Sequence, residues 1–123
     1  SNVFCALDWS PKNVESGSTR TSIGIENAWR ELSISSNESC SPIVVIGSSP
    51  SCLETLLGLI VTGAQKPSLI IGMPVGFVGV EASKEKLTNS TNPFILLEGS
   101  RGGAAIAAAT VNALLRASLM QTE

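Results

Sequence analysis

Histidine is missing altogether from the 123 residues, which removes from this chain the commonest general acid/base and the commonest metal ligand. Any catalysis resting on these residues alone must use other groups. Lysine and arginine number only 8 against 10 acidic residues and nowhere cluster. The phosphate-neutralising surface of a nucleic-acid binder is therefore lacking, and nucleic acid is not expected as a partner. Cysteine is scarce: Cys5, Cys40 and Cys52 are odd in number and widely spaced, which signals neither a disulfide framework nor a metal-binding pair. Buried or free thiols are the simple reading. The longest apolar stretch, Ala104 to Leu115, is interrupted by Thr110 and Asn112 and is too short and too polar to span a bilayer. No membrane partner is expected. Ser1 to Leu7 carries neither a basic leader nor a long apolar run, so no signal peptide is expected there. The expected setting is the cytoplasm, or an organellar stroma in a eukaryote.

What is present is a chain that is 43% hydrophobic and only 15% charged, enough to bury one core in a single domain spanning residues 1–123. Short apolar runs rich in β-branched residues alternate with longer segments at helical spacing, the pattern of repeated βα units and a parallel sheet. Val3 to Leu7 reads as the first strand, closed by Trp9, Ser10 and Pro11. Ser18 or Thr19 caps a helix whose inward face carries Ile23, Ile25, Ala28, Trp29 and Leu32. The Ser/Asn-rich loop from Ser33 to Ser41 follows. Ile43 to Ile46 is a continuous apolar run suited to a strand covered on both faces. After Gly47-Ser48-Ser49-Pro50-Ser51, a helix is expected from about Cys52 to Val61, with Leu53, Leu56, Leu57 and Ile60 facing inward. Pro50 suits its first turn and Gly63 its end. Ser68 to Gly72 and Phe94 to Leu97 are the remaining strands. A Gly-rich loop and a charged helical segment, Glu81 to Leu87, separate them, and a helix from Ala104 to about Leu119 closes the chain. The Ala-rich first half of that helix permits very close packing.

Three of these strands run into loops rich in Gly and Ser, and ligands of open parallel sheets bind at the C-terminal strand ends. Gly47 to Ser51 offers amides and hydroxyls at a helix N-terminus, suited to a carboxylate, although a Ser-rich turn there is also ordinary capping. It lacks the Gly-Lys-Ser/Thr ending of a Walker loop. Arg101, between Ser100 and Gly102-Gly103, sets a planar donor fork at a strand-to-helix junction where glycines let a ligand approach the backbone. The alternative is a surface arginine that caps a carbonyl or pairs with Glu98. Arg20, beside Thr19 and Thr21, is similarly placed. In Glu81 to Lys86 the charges most simply form a solvated face, with Glu81 and Glu85 paired to neighbouring lysines. Trp9 and Trp29 read as packing residues.

Five stretches carry a family resemblance: Pro67 to Leu87 (PSLIIGMPVGFVGVEASKEKL), Gly99 to Leu115 (GSRGGAAIAAATVNALL), Ile43 to Ile60, Gly17 to Ala28 and Val3 to Pro11. In order and spacing they resemble the precorrin-8X methylmutases, or precorrin isomerases. That resemblance implies a Rossmann-like three-layer α/β/α fold with a mostly parallel sheet, and a homodimer with a corrinoid held near the subunit interface. It further implies a methyl migration on that tetrapyrrole during cobalamin synthesis, with no cofactor and no metal site of the protein's own. By motif, the corrinoid-contacting candidates are Thr19, Arg20, Ser48, Ser49, Gly76, Val78, Gly79, Arg101, Gly102 and Gly103.

Two departures bear on the chemistry. The family's catalytic His lies in a preceding N-terminal stretch that nothing here matches, so no catalytic residue is assigned within this chain, and a complementing N-terminal segment is expected. The family's usual Asn-Ala-Pro-Thr is Ser48-Ser49-Pro50-Ser51 here, which removes an amide near the substrate. The alternative to an isomerase is a non-catalytic tetrapyrrole-binding or scaffold subunit on the same fold.

Overall fold

Ile43–Ile46 forms β1, Leu69–Gly72 β2 and Phe94–Leu96 β3, and the three pair in that order as a wholly parallel sheet. Parallel neighbours need a crossover. The helix α2 (Pro50–Val61) joins β1 to β2, and α3 (Val80–Thr88) joins β2 to β3. A helix α1 (Arg20–Ile34) precedes the sheet and α4 (Ala104–Gln121) follows it. This is a computed structural model, and it describes residues 3–12, 19–34, 41–76 and 78–121. Among the described residues no helix is long and apolar enough to cross a membrane.

Side-chain alternation in the strands sorts the core into two layers. Val44, Ile46 and Ile70 face Ile25 and Trp29 of α1, Leu53, Leu56 and Leu57 of α2, and Leu87 of α3. Ile71 and Met73, flanked by Leu69 and Ile95, face Ala107 and Val111 of α4. The architecture is therefore three-layer α/β/α, with three helices on one face and α4 alone on the other. The periodicities read from the sequence locate these elements to within a few residues. Pro50 begins α2 as expected, since the N–H it lacks has no helical partner there. Trp29 is a packing residue, 2% exposed, whose Nε1 donates to the Gln65 carbonyl at 2.9 Å.

The first expected strand is not one. Ala6–Trp9 is a short 3-10 helix packed on α1, and Val3 and Phe4 stand exposed. An apolar run of five residues specifies burial but not a partner, and this one finds α1 rather than a strand. Gly24 of α1 makes the approach possible, because a Cβ there would run into the Ala6 carbonyl. The close packing expected of the Ala-rich half of α4 is also limited. Ala107 is buried, whereas Ala104, Ala105, Ala108 and Ala109 are exposed. At about 1.5 Å per residue the 18 residues of α4 extend about 27 Å, while strands of three or four residues cover only about 10 to 13 Å. Half of α4 therefore overhangs the sheet, and Leu114, Leu115 and Met120 are exposed. On the same face, Ile43 and Val45 of β1 remain uncovered.

Candidate functional site

The N-termini of α1 and α2 lie side by side and share their capping groups. Thr19 Oγ1 accepts from the Ser22 N–H at 3.0 Å, and Ser49 Oγ accepts from the Cys52 N–H at 3.1 Å, each satisfying a first-turn amide. The two caps are linked by hydroxyls: Thr21 to Ser49 at 3.0 Å, Thr19 to Ser51 at 3.2 Å, and Ser49 to Ser51 at 3.1 Å. Thr19 also meets Ser22 Oγ at 2.7 Å. A groove of about 400 Å³ opens beside them, lined by Thr19, Ser22, Ile23, Glu26, Ser51, Glu54 and Thr55. Its two carboxylates are already paired, Glu26 with Arg30 and Glu54 with Lys86, both at 2.9 Å. Sequence reasoning named Thr19 and Ser49 but missed Thr21, Ser22 and Ser51 as partners. The available signal was their position in the first turns of two helices.

The β2–α3 loop is stitched to the β1–α2 loop through the backbone, with the Met73 N–H donating to Ile46 at 2.9 Å and the Val75 N–H to Ser48 at 3.1 Å. Gly79 precedes α3 in the left-handed conformation, φ +78°, near Pro50 at the start of α2. A second groove, of about 330 Å³, is lined by Gly76, Gly79, Val80, Glu81, Ala82 and Ser100. It brings the predicted Gly76 and Gly79 next to the turn that carries Arg101. Val78 is exposed; Phe77 lies outside the described residues, as do Ser18 and Cys40.

The third loop, from Leu97 to Gly103, closes the edge. The Gly103 N–H donates to the Met73 carbonyl at 2.8 Å, and a Cβ at Gly102 would run into the carbonyl oxygens of Met73 and Pro74. Gly102 is therefore required by the contact between two loops, a duty beyond the ligand access first read from it. Arg101 and Arg20 are exposed and form no ion pair among the described residues, so pairing of Arg101 with Glu98 is not seen. Of the predicted residues, Thr19 lines the first groove, with Ser49 bonded to its Ser51, and Gly76 and Gly79 line the second.

The charged segment of α3 departs from expectation. Lys84 is buried, and its Nζ donates to the carbonyls of Leu97, of Gly99 at 2.7 Å and of Arg101 at 2.6 Å. Lys86 pairs across helices with Glu54 rather than with Glu81 or Glu85. Burial pushes the Lys84 pKa down from its ordinary range, against the opposing pull of Glu81. Burial pushes the Cys52 thiol up to about 11.

A family model described as precorrin-8X methylmutase matches residues 1–117. The precorrin-8X methylmutase of Pseudomonas aeruginosa is 44% identical over 117 residues, covering 91% of this chain and 53% of that protein. That of Sinorhizobium sp is 39% identical over 119 residues, 95% of this chain and 55% of the relative. A cobalt-precorrin-8 methylmutase of Synechocystis is 41% identical over 99 residues, 80% of this chain and 42% of its own length. Among solved structures, the precorrin-8X methylmutase of Thermus thermophilus superposes with a TM-score of 0.68 at 35% identity, covering 80% of this chain and 45% of that one. The chain spans about half the length of the curated relatives it matches.

Proposed function

Because the chain belongs to the precorrin-8X methylmutase family, we propose that it forms the corrinoid-holding part of a cobalamin-pathway isomerase that moves a methyl group on precorrin-8X or its cobalt-bearing counterpart. One observation carries this reading: the turns Gly47 to Ser51, Met73 to Gly79 and Leu97 to Gly103 converge at the C-terminal edge of the sheet and are bonded to one another there. Such an edge presents amides, hydroxyls and helix N-termini together, which suits a macrocycle bearing many carboxylates. Thr19, Ser48, Ser49, Gly76, Val78, Gly79, Gly102 and Gly103 form the edge of the site, and Arg20 and Arg101 supply its cations. The migration breaks one carbon–carbon bond and forms another within the same molecule, so it needs neither oxidant nor methyl donor. It does need a proton donor to stabilise the rearranged ring. With no histidine in the chain, that donor comes from a further segment of the same protein, in the same copy or in the partner copy of a homodimer, and the reaction runs in the cytoplasm.

The test is an absorbance assay of the longest native chain containing these residues, mixed with the corrinoid substrate. Turnover to the methyl-shifted product supports the reading. Tight binding without turnover would make the protein a tetrapyrrole-binding or scaffold subunit, and absence of binding would sink both.

A further inference from the structure

Lys84 is 5% exposed on a helix whose other charged side chains face solvent, and its ammonium is spent on the backbone of a distant turn. The carbonyls of Leu97, Gly99 and Arg101 alternate along that turn and converge on one nitrogen. An ammonium has three N–H donors, and here each has a carbonyl. In a trans peptide the N–H points opposite to the C=O of the same unit, and the described chain contains no cis peptide. Carbonyls that turn inward to Lys84 therefore turn the amides of Glu98, Ser100 and Gly102 outward. Ser100 lines the groove that also contains Gly76 and Gly79.

We infer that Lys84 is a positioning residue for the corrinoid edge, organising the β3–α4 turn so that its outward amides and Arg101 meet a carboxylate of the ligand. The inference rests on the corrinoid reading above for the identity of the ligand, but not for the ordering of the turn. Burial adds to the effect, because an ammonium withdrawn from water holds its carbonyl partners more strongly than an exposed one.

The experiment uses the full-length protein and the variants Lys84→Met, Lys84→Gln and Lys84→Arg, each alone and combined with Arg101→Ala. Hydrogen exchange without ligand reads the turn, and corrinoid absorbance titration reads the site. Lys84→Met should speed exchange of the Gly103 amide, which is bonded to Met73 in the wild type, at least about tenfold while Ile70 and Ile71 stay protected. It should weaken corrinoid binding about tenfold, the loss expected when a charged hydrogen-bond anchor goes. Lys84→Gln, which keeps two donors and secures the test if the Met variant does not fold, should fall between. Lys84→Arg, which keeps the charge, should recover part of the affinity. In the Arg101→Ala background Lys84→Met should cost clearly less than in the wild type, since both act through one turn. Additive losses, or unchanged exchange in the turn, would overturn the inference. Absence of corrinoid binding by the wild type together with altered exchange in the turn would overturn the ligand assignment alone.

Discussion

Under the proposed function a ligand carboxylate would meet Arg101, which stands exposed on the β3–α4 turn with no acidic partner among the described residues to displace. A hydrogen bond to a charged group contributes about 1.5 to 3 kcal/mol, so Arg101→Ala should weaken corrinoid binding by about one to two decades. Arg101→Lys should restore only part, because an ammonium cannot reproduce the two-pronged fork. Melting temperature should barely move in either variant. Unchanged affinity with a large fall in melting temperature would make the residue structural. Cys52 belongs to the other kind of residue, buried and inert. Its folded pKa of about 11 lies above the unfolded value near 9, so the folded state keeps a proton that the unfolded chain releases. The resulting stabilisation is fully present below about pH 9 and is lost as pH rises towards 11, by roughly 2 to 3 kcal/mol. Denaturant titrations across that interval should show the fall, and Cys52→Ala should flatten it relative to the parent. Lys84 shows where a residue-level reading stops. In sequence, Glu81-Ala82-Ser83-Lys84-Glu85-Lys86 is indistinguishable from a solvated charged face. The carbonyls that claim Lys84 lie 13 to 17 positions away, and nothing in the local pattern announces them.

Elements were legible where a period was long enough to define a face. Ile25, Ala28 and Trp29 in α1, and Leu53, Leu56 and Leu57 in α2, are buried as their spacing requires. The run Ile43 to Ile46 is a strand, yet only Val44 and Ile46 are buried. Being apolar on both faces did not guarantee two covers. Val3 to Leu7 failed for the same reason in reverse, since the cost of burying backbone is met by a partner and a short run does not specify one. For the site, the sequence located the three loops but not their joining, because backbone bonds such as Met73 to Ile46 leave no mark on residue type. The paired caps of α1 and α2 are the element whose removal is most informative. Ser49→Ala deletes the α2 cap and two hydroxyl links at once, and loss of such a cap costs about 1 kcal/mol. Ser49→Asp keeps an acceptor at the same position and should restore most of that stability. Because the linked Thr19 and Ser51 line the first groove, Ser49→Ala should also lower corrinoid affinity. Circular dichroism melts beside absorbance titrations separate the two effects.

Across the whole molecule, burial is uneven. One side of the sheet is closed by three interlocking helices, while the other is closed by little more than the first turns of α4. The sheet edge that gathers the loops is anchored where Gly103 and Gly102 press against Met73 and Pro74. The overhang of α4 can also be stated as dispensability. Among the described residues, Val111 is the last side chain of α4 packed against the core, and shortening α4 after Ala113 removes none of them that is buried. A chain ending there should have an unfolding free energy within about 0.5 kcal/mol of the 123-residue parent, because surface changes away from packed features stay near that limit. Its light scattering should fall as Leu114, Leu115 and Met120 leave the surface. Made in a longer native chain, an internal change of those three residues to Ser weighs the opposite quantity. Whatever stability it removes there, beyond its effect in the 123-residue chain, measures how much of the ridge the rest of the protein covers.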